Sequence, residues 1–304
     1  MPTLTRRRFL GGVAGALAVT PADPLAMPSE ASAKEESFRL RYIQASSMYG
    51  RLPLATVLAE IPKTGTKRID IWPEGHANHR EQMDELGHAR VKELLAEHGI
   101  RIGLLTHYNL GPFRLQPELP LAEEFGVRLI ITGGMPKDKD GARRFVETMK
   151  PHVAAAEKHG VVLGIENHGE SADAIRYLAD AAPENRMGVA LAPYHLPQDP
   201  ALLARLIMDL GPRLVHFYAW QHGKGCHEKR PKEEELLQMP GRGPLDFGPL
   251  LAALRKIRYA DWTSVFIHPV PRGIPILPTA AEVTAEICRA QKHLEAKLAQ
   301  GATT

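Results

Sequence analysis

From residue 38 onward, the chain alternates short apolar runs with stretches of helical periodicity. Several runs are nearly continuous in Val, Ile and Leu, which is typical of parallel strands that are buried on both faces. The pattern predicts eight strands: Phe38–Gln44, Arg68–Trp72, Arg101–Leu105, Leu129–Thr132, Val161–Glu166, Met187–Leu191, Leu214–Ala219 and Thr263–Ile267. It predicts the clearest helices at Leu54–Pro62, Met83–His98, Gly141–His159, Pro200–Leu210, Phe247–Ile257 and Ala280–Leu298.

Glycines mark two of the junctions between a predicted helix and the next strand. Gly99 and Gly160 each follow a histidine and suit a left-handed cap. Eight strands alternating with helices predict a single-domain α/β fold, a (β/α)8 TIM barrel over residues 38–298. A doubly wound open sheet is the second choice, because no Gly-rich dinucleotide fingerprint follows the first strand.

The first 33 residues have the three-part plan of a signal peptide. A basic head, Arg6–Arg8, precedes the uncharged stretch Leu10–Thr20, and Ala31–Ala33 suits cleavage. Paired arginines indicate export by the twin-arginine translocase, and hence a periplasmic or secreted protein. The apolar run is too short to span a bilayer comfortably, so we expect no stable membrane span in the mature protein. A frayed basic N-terminus is the weaker alternative.

The composition is that of an ordinary globular protein, at 44% hydrophobic and 24% charged residues. The net charge of +3 comes partly from the N-terminal arginines and gives no support for nucleic-acid binding. The two cysteines, Cys226 and Cys288, allow at most one disulfide.

Polar side chains concentrate where the predicted strands end, which is where TIM barrels carry their active sites. Glu166 ends an apolar strand, and a carboxylate there is costly unless it is paired, hydrogen-bonded or bound to a metal. We predict catalytic roles for Glu166, His195 and His268. With His222, the same three residues form the predicted site for a divalent Zn, Mn, Co, Ni or Fe ion. His107 or His168 could replace one of these histidines, and a salt bridge to Glu166 is the alternative. The predicted substrate-binding residues are Trp72, His76, His107, Asn167, Tyr218, Trp220 and Arg242.

These segments together resemble the sugar phosphate isomerase/epimerase family, which has a xylose-isomerase-like barrel. The segments that carry the resemblance are Gly164–His168, Leu191–His195, Val215–Phe217, Pro240–Phe247 and Phe266–Pro269. The resemblance implies a divalent metal, held by Glu, Asp, His and Glu, and movement of a proton next to a carbonyl. Glu166 and His195 match family positions, whereas Ala192, Tyr218 and His268 stand where the other ligands are expected. The resemblance therefore implies a rearranged site.

The sequence thus predicts an exported isomerase or epimerase that acts on a non-phosphorylated keto-sugar. Phosphorylated sugars are less common outside the cytoplasm, which favours a free sugar as the small-molecule substrate. Two alternatives remain open: a keto-glycoside lyase or hydrolase that uses the same enediolate chemistry, and a metal-free, non-catalytic carbohydrate-binding barrel. Cleavage of abasic DNA, known from related barrels, is disfavoured by the export signal and the weak net charge.

Overall fold

The computed structural model describes residues 38–134, 136–183 and 185–301. The predicted signal peptide, at residues 1–33, lies outside the described residues. Both cysteines are free, with Cys226 buried and Cys288 partly exposed, so no disulfide joins them. Among the described helices, none combines the length and the hydropathy that a membrane crossing needs.

The strands form one parallel sheet that closes on itself. They are β1 (Arg41–Tyr42), β2 (Gln44–Ala45), β3 (Arg68–Ile71), β4 (Arg101–Thr106), β5 (Leu129–Thr132), β6 (Val162–Glu166), β7 (Met187–Leu191), β8 (Leu214–Ala219) and β9 (Trp262–Val265). Their order is β1-β9-β8-β7-β6-β5-β4-β3-β2. Since β1 and β2 are consecutive halves of one predicted strand, the two edges meet there and the predicted (β/α)8 TIM barrel is confirmed.

The closing strand is divided because its two halves pair with different neighbours. β1 pairs with β9, and β2 pairs with β3. Ile43, between them, donates its backbone N–H to Thr263 at 3.1 Å, so the switch leaves no gap in the hydrogen bonding. A single continuous strand was predicted here, because the change of partner leaves no mark in the apolar pattern.

The helices pack outside the sheet. They are α1 (Leu54–Glu60), α2 (His79–Leu86), α3 (His88–Glu97), α4 (Glu118–Phe125), α5 (Lys139–Lys158), α6 (Ala172–Ala181), α7 (Pro200–Leu210), α8 (Lys232–Glu235), α9 (Gly248–Lys256) and α10 (Ala280–Gln300). Helices α4 and α6 are absent from the clearest helices that the sequence predicts, and the predicted helix Met83–His98 is divided at Gly87, with φ of 78°, into α2 and α3. Gly99 and Gly160 have φ of 63° and 68°, which confirms the predicted left-handed caps.

The core lies between the strands and the inward faces of the helices. All four residues of β5 and all five of β7 are buried, as expected for strands covered on both faces. On α5, Phe145, Met149 and Val153 recur at a spacing of four and are buried together. This arrangement leaves the polar residues that follow the strands gathered at one end of the barrel.

Candidate active site

A cavity of about 470 Å³ opens among the loops that follow the strands. It is lined by His76, Tyr108, Gly111, Pro112, Gly133, Gly134, His168, Glu170, His195, Cys226, His227, His268 and Arg272. Five of these side chains are imidazoles, and Tyr108 is the only Tyr, Phe or Trp among them. The cavity therefore combines a cluster of hydrogen-bonding groups with the apolar surface of Tyr108, Pro112 and the ring carbons.

Glu166 ends β6 and is 2% exposed. Its carboxylate accepts a hydrogen bond from the Tyr108 hydroxyl. Burial raises the pKa of Glu166, and the nearby His168 and the bond from Tyr108 act in the opposite direction. A buried carboxylate of raised pKa beside a polar cavity is the kind of group that can exchange a proton with a bound molecule.

Two imidazoles face this carboxylate. The Nε2 atoms of His168 and His195 each lie 3.9 Å from Glu166 Oε1. His195 follows β7 in a short 3-10 turn, and burial lowers its pKa to about 3, so its ring is neutral. His168 Nδ1 lies 3.3 Å from the Glu166 backbone oxygen. Donation to that carbonyl fixes the tautomer and leaves the Nε2 lone pair on the side of the carboxylate.

Glu166, His168 and His195 fit a divalent metal ion by their chemistry and spacing. One ligand atom from each residue lies within 4.8 Å of the other two. One carboxylate and two imidazoles suit Zn²⁺ or Fe²⁺ and leave positions open for substrate oxygens. The hydrogen bond from His168 to a backbone carbonyl is the outer contact that commonly orients a metal-binding imidazole.

The structure does not assemble the predicted set of Glu166, His195, His222 and His268. His222 has φ of 93°, its backbone N–H donates to Gln198 at 2.7 Å, and its side chain does not line the cavity. His268 does line it, but its ring lies against His76, with 4.6 Å between ring centres, and outside the cluster around Glu166. His168, left open as a substitute, takes the third position instead.

A second group of cavity residues follows β3, β8 and β9. Arg272 Nη1 lies 2.5 Å from His76 Nε2, and Arg272 Nη2 lies 3.5 Å from His227 Nδ1. Burial lowers the pKa of His76 to about 3. Burial also lowers the pKa of His268, and His76 and Arg272 lower it further. This part of the cavity thus combines neutral imidazoles with one permanent positive charge.

Three aromatic residues that were predicted to bind the sugar are buried beneath the cavity. Trp72 is fully buried and its indole donates to Asp70 at 2.5 Å. Trp220 stacks on Tyr194 at 4.1 Å between ring centres, and its indole donates to Gln238 at 2.8 Å. These two indoles and the fully buried Tyr218 do not line the cavity, although the Tyr218 hydroxyl lies near enough to Glu166 to lower the pKa of that carboxyl.

Three further predicted binding residues also lie away from the cavity lining. His107 lies 3.9 Å from the Glu118 carboxylate, beside α4. The Asn167 side chain is fully buried and bonds to the backbone of Ala192. Arg242 forms a two-bond ion pair with Glu286 of α10, at 2.7 Å for each bond. Of the seven predicted binding residues, only His76 therefore lines the cavity.

Asp70 has no role predicted from the sequence, yet it is fully buried in the barrel. The Thr106 hydroxyl donates to its two oxygens at 3.1 and 3.0 Å, and burial raises the pKa of Asp70. The sequence did contain a signal for Asp70, because it is a carboxylate within an apolar strand, just as Glu166 is a carboxylate at the end of one. Arg272 and Cys226 also have no role predicted from the sequence, since loop residues have no periodicity from which their positions could be predicted.

Comparisons with known structures agree with the architecture. D-psicose 3-epimerase from Clostridium cellulolyticum H10, solved with D-tagatose, is 16% identical over 85% of this chain and 99% of its own, with a TM-score of 0.63. An L-ribulose 3-epimerase is 15% identical over 87% and 96% of the two chains, with a TM-score of 0.62. A sugar phosphate isomerase/epimerase from Parabacteroides distasonis is 13% identical over 90% and 99%, with a TM-score of 0.58. At these identities the likeness concerns the fold.

A comparison with curated proteins gives no significant match. The family model described as "Xylose isomerase-like TIM barrel" matches residues 58–289, which is most of the chain. The match includes β3 to β9, and with them Glu166, His168 and His195. The chain belongs to the xylose isomerase-like TIM barrel family.

Proposed function

We propose that this protein is a sugar isomerase or epimerase that moves a proton next to the carbonyl of a non-phosphorylated keto-sugar. The observation that carries the proposal is Glu166, buried at a strand end with two imidazoles 3.9 Å from its oxygen and a polar cavity beside it. Membership of the xylose isomerase-like family and the sugar epimerases among the similar structures support it.

Glu166 is the proposed proton-transfer group. Burial raises its pKa, which makes its carboxylate a stronger base than an exposed one and its acid form easier to populate near neutral pH. The Tyr108 hydroxyl bonds to the carboxylate and orients it. A carboxylate held in this way can take a proton from carbon and return it to a neighbouring atom.

His168 and His195, with Glu166, would hold the proposed divalent metal. A bound metal would polarise the sugar carbonyl and lower the pKa of the adjacent C–H bond. The lowered pKa of His195 keeps its lone pair available at neutral pH. The tautomer of His168 keeps its lone pair on the side of Glu166.

Epimerisation needs a proton to leave one face of the substrate and return to the other. The cavity is lined by His168 and His195, which lie against the buried Glu166, and by a second group that contains His76 and His268. The His76 ring is neutral, because burial lowers its pKa to about 3. We assign removal of the proton from the second face to a neutral ring of this group, which can accept it, and its return on the first face to the acid form of Glu166, whose pKa is raised.

We also propose that the protein works outside the cytoplasm. The support is the twin-arginine pattern of the first 33 residues. That route exports folded proteins, and the residues of a metal site drawn from β6 and β7 meet only in the folded barrel. Export also favours a sugar without phosphate.

The test combines bound-metal analysis with deuterium uptake. The purified protein and its Glu166→Gln variant are analysed for metal by mass spectrometry and incubated in D2O with neutral and acidic keto-sugars. The wild-type protein should carry metal and introduce deuterium next to the carbonyl. Glu166→Gln should lose the metal and slow exchange by at least about 100-fold, because the proton-transfer group and a metal ligand are both removed. Removing metal from the wild-type protein with a chelator should slow exchange similarly.

Glu147→Gln is the matched control, since Glu147 is an exposed residue of α5 that pairs with Lys150. It should keep the metal content and exchange rate of the wild-type protein. Exchange that survives in Glu166→Gln would refute the role of that carboxylate. A wild-type protein with neither metal nor exchange would refute the proposed function and favour a carbohydrate-binding barrel.

A further inference from the structure

Arg272 has an unusual position among the arginines of the protein. Within the described lining of the cavity it is the only Lys or Arg side chain. Arg80, Arg176 and Arg242 each pair with a carboxylate at 2.7 Å or less. Arg272 pairs instead with the rings of His76 and His227, and none of the described carboxylates forms an ion pair with it.

The two ring contacts leave the charge of Arg272 uncompensated. A guanidinium can only donate, so His76 Nε2 accepts the contact at 2.5 Å and His227 Nδ1 accepts the longer one at 3.5 Å. Imidazole rings orient the guanidinium but supply no negative charge. The contacts use Nη1 and Nη2 once each, which leaves one further N–H on each atom and a third on Nε.

The side chain is half-buried at the cavity wall. A positive charge held there without a negative partner is partly removed from water. The lost hydration is compensated only when a negative group binds beside it. Two free N–H bonds from adjacent nitrogens match the two oxygens of a carboxylate. Glu166 forms no ion pair with Arg272, although the guanidinium lowers the pKa of that carboxyl, so the remaining N–H groups of Arg272 are available for the non-reacting end of a substrate.

We infer that Arg272 binds a carboxylate of the substrate, so that the protein acts on a keto-sugar acid rather than a neutral keto-sugar. This rests on the proposed function and specifies its substrate class. A phosphate group is the other source of negative charge, and the cavity suits it less. One arginine would face a doubly charged group, while Glu166 and Glu170 contribute carboxylates to the same region.

The test measures binding separately from catalysis. Titration calorimetry compares D-fructuronate with D-fructose and D-fructose 6-phosphate, on the wild-type protein, Arg272→Gln and Arg272→Lys. The wild-type protein should bind fructuronate about 10-fold or more tightly than fructose, and more tightly than the phosphate. Arg272→Gln should weaken fructuronate binding about 10- to 100-fold and leave fructose binding unchanged. Arg272→Lys should recover part of the lost affinity, since lysine keeps the positive charge but lacks the paired N–H donors of arginine.

Arg205→Gln is the control for net charge, because Arg205 is exposed on α7. It should bind fructuronate as the wild-type protein does. Equal wild-type affinity for fructuronate and fructose, tighter binding of the phosphate, or equal losses in Arg272→Gln and Arg205→Gln would each overturn the inference. The wild-type comparison decides the matter even if Arg272→Gln does not fold.

The two proposals fail in different ways. A fructuronate preference that depends on Arg272, without deuterium exchange on any keto-sugar, would uphold the carboxylate site and refute the isomerase. Exchange on neutral keto-sugars alone, with no preference for fructuronate, would uphold the isomerase and refute the carboxylate site.

Discussion

Replacing Asn167 with Ala should destabilise the barrel beside the site rather than remove a substrate contact. Asn167 follows Glu166, and its side chain is fully buried. Its Nδ2 donates to the Ala192 carbonyl at 3.1 Å, and its Oδ1 accepts from the Ala192 N–H at 2.8 Å. The side chain thus joins the ends of β6 and β7, which carry Glu166 and lead into His195.

The expected loss of stability follows from these two hydrogen bonds. Asn167→Ala leaves a backbone donor and a backbone acceptor without partners at a residue that is 0% exposed. Each such group costs about 1–3 kcal/mol, so the loss for the two should be about 2–6 kcal/mol. Against a typical stability of about 5–15 kcal/mol, the variant should still fold but unfold at a clearly lower urea concentration.

The Asn167→Asp variant is a sharper test, because aspartate has nearly the same shape as asparagine. One oxygen can still accept from the Ala192 N–H, but the second would face the Ala192 carbonyl where Asn167 donates at 3.1 Å. At pH 7 the variant should therefore be at least as unstable as Asn167→Ala. Protonation restores a donor, so its deficit relative to the wild-type protein should shrink as the pH falls toward 4.

The assay is urea unfolding followed by circular dichroism at pH 7 and pH 4.5. Asn109→Ala serves as the control, since Asn109 also donates to a backbone oxygen, at 2.8 Å from Glu74, but is exposed. It should lose about 1 kcal/mol or less. If Asn167→Ala kept full stability but bound sugar weakly, Asn167 would be a substrate ligand and the structural assignment would be refuted.

Three other predictions concern stability and fold. Burial lowers the pKa of His79 from 6.5 to about 4. The unfolded chain therefore binds an extra proton between those values, and acidification across this range should remove up to about 3 kcal/mol of stability. His79→Gln should flatten that slope in urea titrations, and an unchanged slope would count against the assignment. Arg242→Gln should lower the free energy of unfolding by about 1 kcal/mol, because Glu286 still pairs with Arg289. It should not alter the sugar affinity measured by calorimetry. Because Cys226 and Cys288 are free, a reducing agent should leave the urea midpoint unchanged; a lower midpoint would reveal a disulfide.

The sequence by itself determined the strands and the position of the site. Continuous apolar runs can be satisfied only by burial on both faces, which locates the parallel strands without tertiary information. Glu166 was found for the same reason, since a carboxylate that ends such a run must have a partner or a function. The glycines at 99 and 160 were informative because a left-handed cap depends on local geometry alone.

Only the tertiary structure decided which residues meet. His168 and His222 both follow strands, but the backbone carries His222 out of the cavity, and periodicity does not record side-chain direction in a loop. Arg242 was predicted to reach a ligand, yet its carboxylate partner lies 44 residues away on α10. Arg272 and His76 are 196 residues apart, and only closure of the barrel brings them into contact. Local sequence fixes what each element is, whereas contacts between distant residues depend on how the elements pack.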